Sequence, residues 1–134
     1  MKFSVIEARA KRSQFDELAG DCYRDNSSQI IKDLNRQNKK SYFGIQNSKG
    51  MYTVIGEKSV YFSVEPGLES EILNSELLRV FQRNAMQVGK GGEFEFVNIA
   101  ENESVWVLNG KVMCAMWNIL MLLCEANGGE SIAR

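Results

Sequence analysis

Histidine is missing from this sequence, and proline occurs once. Without imidazole there is no Ser–His or Cys–His nucleophile pair, no side chain that ordinarily titrates near neutrality, and none of the commonest metal ligand. The single proline and the lack of any low-complexity run exclude a long disordered or fibrous segment. Cysteine is sparse: Cys22, Cys114 and Cys124 lie too far apart to chelate a metal. They read as reduced thiols in or near a core, which implies a reducing compartment and a cytoplasmic protein. Long apolar runs are also missing. The longest, Val112 to Cys124, is interrupted only by Asn118 and spans 13 residues. A bilayer crossing needs roughly 20, so this run reads as a buried helix and no membrane span is expected. The amino-terminal MKFSVIEARAKR has no apolar core of the kind a secretory signal carries.

What is present is ordinary for a globular chain. At 134 residues it reads as one domain, with 44% apolar and 25% charged residues. A chain of this size buries roughly two-thirds of its unfolded surface, enough for a core without disulfides or metal. The net charge of −1 is mildly uneven, with nine Lys and Arg against six Asp and Glu in residues 1–40, and seven against eleven afterwards. The basic clusters, Arg9 to Arg12 and Arg36 with Lys39 and Lys40, are interrupted or followed by acids. They read as solvated helix faces, and the balance argues against a duplex nucleic-acid partner.

Periodicity divides the chain into a helical amino-terminal region (1–40), an α+β core (41–126) and a tail (127–134). Residues 3–8 fit either a short strand or a first helical turn. Phe15, Leu18, Ala19, Cys22 and Tyr23 recur at helical spacing, and Ser27 or Ser28 can cap a second short helix carrying Ile30, Ile31 and Leu34. Strands follow at Tyr42–Gln46, Met51–Ile55 and Val60–Val64, joined by hairpin links that contain Gly50 and Gly56. Alternation sets Phe43 and Ile45 on one face, as it does Thr53 with Ile55 and Val60 with Phe62. Glu65-Pro66-Gly67 is expected to end this meander. A helix is expected over 69–87 on the stripe Leu73, Leu77, Phe81 and Ala85, with acids early and Arg79 and Arg83 late, as the helix dipole favours. Strands at Glu93–Ile99 and Ser104–Leu108 and a last helix over Lys111–Ala126 complete the order α-βββ-α-ββ-α. Lys111–Ala115 could instead return as a strand after Asn109-Gly110; the helix is the preferred reading. Asn127-Gly128-Gly129 is expected to stop it.

The stretch VGKGGEFEF, Val88 to Phe96, resembles a phosphate loop only in its glycines. A phosphate loop runs from strand to helix, so that the anion meets a helix amino terminus. Here a helix precedes and a strand follows, and Gly91 stands where Ser or Thr must follow Lys90. The glycines read as a helix stop and turn. The carboxylate pairs Glu93/Glu95 and Glu101/Glu103 alternate along expected strands and read as solvated faces. No catalytic residue, cofactor or metal site is therefore expected. Tyr42, Phe43, Tyr52, Tyr61 and Phe62 concentrate in the meander, where an apolar outer face is either a partner surface or lies under a second layer of helix.

The element order, and above all LLRVFQRNAMQVGKGGEFEFVNIAENESVWVL (Leu77 to Leu108), resembles the class I type III secretion chaperones, the family of the Tir chaperone. The resemblance covers about residues 41–126. It implies a cytosolic, non-catalytic homodimer that holds the amino-terminal segment of a secreted effector in extended form. It further implies a client surface near Phe43, Ile45 and Tyr52 and a dimer interface near Leu73, Leu77 and Phe81. The residues alone leave two rivals open: an immunity-type or antitoxin-type protein neutralising a toxin, and a small nucleic-acid-binding regulator.

Overall fold

The computed structural model describes residues 2–88 and 95–126. It is an α+β fold in which a five-stranded antiparallel sheet and a two-stranded hairpin pack with helices. Helix α1 (Phe3–Arg12) settles the first ambiguity: Ile6 and Ala10 are buried, and Arg9, Lys11 and Arg12 sit at its carboxyl end, where the dipole favours cations. Gln14 then takes a left-handed backbone (φ 60), so α2 (Phe15–Ala19) starts in a new direction. The helical spacing read through Cys22 and Tyr23 does not continue as helix. Gly20 adopts φ 56 and ψ −126, a conformation side chains other than glycine avoid. After one 3-10 turn, Tyr23 and Arg24 form the short strand β1, paired with Ile45 and Gly44.

Ser28 occupies the amino-terminal cap position of α3 (Gln29–Arg36), but its hydroxyl does not cap the helix. It accepts a hydrogen bond from the Asp25 N–H at 3.0 Å instead, while Asp25 Oδ1 accepts from the Ser27 N–H at 2.9 Å. The turn before the helix is thus closed on itself.

The meander follows the expected strands closely: β2 (Ser41–Gln46), β3 (Tyr52–Gly56) and β4 (Ser59–Glu65). Phe43 pairs with Ile55, Ile45 with Thr53, Thr53 with Phe62 and Ile55 with Val60, so the alternation read from the sequence defines one continuous apolar face. The meander does not end at Pro66. Pro66 and Gly67 (φ 85) form the turn of another hairpin, and Leu68–Leu73 is a fourth long strand, β5, at the edge of the order β1-β2-β3-β4-β5. The helix expected from residue 69 begins only at Asn74, as α4 (Asn74–Val88). Leu68, Ser70 and Ile72 against Glu69 and Glu71 satisfy a period of two as well as the acid-rich start of a helix. Pairing with β4 decides between them. Asn74 marks the switch: its N–H still donates to Lys58 O, and its side-chain amide donates to Gly56 O and Glu57 O.

The second hairpin comprises β6 (Phe96–Ala100) and β7 (Glu103–Trp106). The Gly89 to Phe94 part of the glycine-rich stretch lies outside the described residues, as do the tail and the expected stop at Asn127. Phe96 faces out and Val97 in. Asn109 is a helix cap rather than a hairpin corner: its Oδ1 accepts from Val112 N–H at 2.9 Å and starts α5 (Gly110–Ala126). Residues 111–115 are helical. The main core lies between the apolar sheet face, the β6–β7 hairpin and helices α1, α2, α4 and α5. Helix α3 covers the opposite face of the sheet, with Ile31 and Leu34 on Tyr52 and Val54.

The hairpin is tied to the sheet by a buried hydrogen bond, from the Thr53 hydroxyl to the Trp106 carbonyl. Thr53→Val keeps the shape and strands that carbonyl. Chemical denaturation should record a loss of about 1–3 kcal/mol, with Thr53→Ser recovering part of it. An unchanged midpoint for Thr53→Val would show that the bond contributes nothing.

Candidate functional site

A sheet with ends can add a strand at either edge. Here the edges differ: β1 has two residues, whereas β5 has six and, among the described residues, a strand on one side only. The backbone phase of β5 follows from its pairing. Asn74 N–H donates to Lys58 O, and Ile72 and Ser70 lie opposite Val60 and Phe62 in the same register. Those residues therefore direct their N–H and C=O groups at β4. By the alternation of an antiparallel ladder, Glu69, Glu71 and Leu73 direct theirs away from it, along the free edge. Leu68 and Leu73 are 63% and 50% exposed at the two ends of the strand.

Side chains differ on the two sides of this edge. On the outer face Tyr52 O–H donates to Glu69 Oε2 at 2.9 Å, drawing that carboxylate across Ser63 toward β3. Burial first, and then the bond to Glu69, push the Tyr52 phenol far above its ordinary range, so it stays a protonated donor. Glu71 lies opposite Tyr61, whose phenol is raised by burial and then by the Glu71 charge. Glu69 and Glu71 make no ion pair with described residues. A recess of about 260 Å³ under α3 continues from Glu69 past Tyr52 to Gln46 and Asp33. On the inner face a cleft of about 500 Å³ opens between β5, α4 and β6. Ile72, Val80 and Ile99 supply its apolar lining, with Glu76, Arg79 and Arg83 among the charged residues around them.

The residues singled out in the sequence are distributed differently. Phe43 and Ile45 are 1% and 0% exposed and point into the main core, so in this conformation they offer a partner no surface. Tyr52 lies on the other face, under α3 and bonded to Glu69. Leu77 and Phe81 are fully buried within the single chain, while Leu73 is in β5 rather than the helix. The structure does not bring the three together on a surface. The β5 residues were missed as an edge; the hairpin pair Pro66-Gly67 was the available signal.

No arrangement for covalent chemistry stands out at this edge. Among the described residues no group of His, Cys, Asp or Glu could hold a metal, and no helix is long and apolar enough to cross a membrane. The Cys124 thiol is pushed up by burial and by Glu125, which disfavours the reactive thiolate. Glu95 accepts from Trp106 Nε1 at 3.1 Å, and Glu101 and Glu103 are exposed on the hairpin. No protein-family model, curated protein or solved structure matches the chain.

Burial holds Tyr23 at about 12 and raises Tyr52 further, against an unfolded value of about 10. Their folded pKa values lie above the unfolded one. The stability they carry is therefore full below pH 10 and is lost as pH rises through the folded values. Melting temperature should fall from about pH 10 upward, and Tyr52→Phe should flatten part of that fall. An identical alkaline profile for Tyr52→Phe would contradict the buried, hydrogen-bonded phenol.

Proposed function

We propose that this chain is a non-catalytic protein-binding module that takes an extended segment of a partner as an added strand on β5. The observation that carries the reading is the edge itself: six residues, paired on one side among the described residues, with backbone groups of Glu69, Glu71 and Leu73 directed outward. Native sheets ordinarily shorten, bulge or cover such an edge. Strand addition recruits these groups for affinity and leaves flanking pockets to select side chains. The cleft along Ile72 and the recess beside Glu69 are such pockets.

The biological form this reading favours is a cytosolic chaperone for the amino-terminal segment of a secreted effector, acting as a homodimer. The support is an edge suited to an unfolded client, together with the resemblance carried by Leu77 to Leu108. With Leu77 and Phe81 consumed in the core, a dimer contact would have to use surface residues.

A tagged chain carrying a photo-crosslinking residue in place of Leu73 tests this in native extract. The expected product is one dominant partner, crosslinked through a protease-protected extended segment. Glu71→Pro removes one outward N–H and leaves the β4 ladder in place, so it should abolish the crosslink, while Glu71→Ala should keep it. Capture of a compact, protected domain would favour toxin neutralisation. A crosslink that persists in Glu71→Pro would sink strand addition.

A further inference from the structure

We infer that the segment accepted by β5 is an alternating basic–apolar strand, with Lys or Arg at two positions spaced by two and an aliphatic residue at the neighbouring inner position opposite Ile72. The inference rests on the strand-addition reading and specifies its partner.

The argument starts from the period of two. Residues set opposite Glu69 and Glu71 on an added strand project on the outer face, whichever direction that strand runs. The residue between them projects on the inner face opposite Ser70, and the next inner residue lies opposite Ile72, at the cleft. The outer face at this edge presents two carboxylates that no described cation neutralises. Lys39 places its ammonium over the Tyr61 ring, 5.8 Å from the centroid. Opposite charges directly across a ladder attract and like charges repel, so the outer positions select Lys or Arg. A long cationic side chain opposite Glu69 can also follow the recess toward Gln46 and Asp33. The inner position opposite Ile72 meets the cleft lined by Ile72, Val80 and Ile99, which selects an aliphatic group there.

The same charges exclude a second copy of the chain as occupant. Only Glu69, Glu71 and Leu73 direct backbone groups outward, so antiparallel self-pairing must match these residues with one another. One register sets Glu69 opposite Glu71 twice. The next sets Glu71 opposite Glu71. The two registers that use the edge most fully thus place carboxylate against carboxylate, a penalty a basic segment does not face.

Two fluorescent nonapeptides of the same valine and threonine backbone test the inference, one with Lys-Val-Lys at its centre and one with Glu-Val-Glu. Anisotropy should give the lysine peptide a Kd about tenfold lower on the wild-type chain, with the difference shrinking at high salt. The Glu69→Lys/Glu71→Lys variant, checked for folding by circular dichroism, should reverse the order. Equal binding of both peptides, lost in Glu71→Pro, would overturn the charge selection and leave strand addition standing. Binding of neither peptide would overturn both.

Discussion

An antiparallel sheet with Phe43, Ile45, Ile55, Val60 and Phe62 on one side is unstable in water until that side is covered. Here the cover is organised by α5. That helix is apolar around most of its circumference, and Met116, Ile119, Leu120 and Leu123 are all buried. Helices α1, α2 and α4 each pack against it. Each such side chain removed from water contributes about 1.5–3 kcal/mol, so one helix anchors a large share of the favourable term. The β6–β7 hairpin closes the remaining space, held through Trp106 and Thr53.

Covering one face fixes what can happen on the other and at the edges. Helix α3 is short, and its apolar contacts fall on Tyr52, Val54 and Tyr61. The helix that follows β5 packs on the inner side, with the core. Among the described residues no strand pairs with the long edge. Glutamates at 69 and 71 are one way such an edge avoids pairing with itself while remaining chemically selective.

The parts legible in the sequence are those governed by local chemistry. Strands β2 to β4 are bounded by Gly50 and Gly56 and alternate cleanly, so their limits and shared face could be read. The long apolar run locates α5, while Asn109 reads as a turn and is in fact the cap of that helix. The misreadings have one kind of cause. Leu68–Leu73 fits two periods, and only β4 chooses between them. Gln14 takes a left-handed turn that no glycine announces. Alternation says that Phe43 and Ile45 share a face, but not that this face is the buried one. Tyr52 is put near the client surface by the resemblance alone. Its link to Glu69 spans 17 residues and exists only once the β4–β5 hairpin has formed. The candidate site was therefore largely invisible in the sequence, because it is an edge and edges are created by pairing.

Helix α1 rests on α5, and Arg9 Nη1 donates to the Asn118 carbonyl across a separation of 109 residues. During translation the meander can assemble from its neighbouring hairpins and Phe15 can meet Tyr23 and Phe43, but Ile6 and Ala10 on α1 have no α5 to meet. At roughly 5–20 residues per second, the intervening chain takes roughly 5 to 20 s to appear. For that interval the side of α1 that faces α5 is uncovered on the nascent chain. A chain whose α1 must wait for α5 spends that time as something other protein-binding factors would recognise.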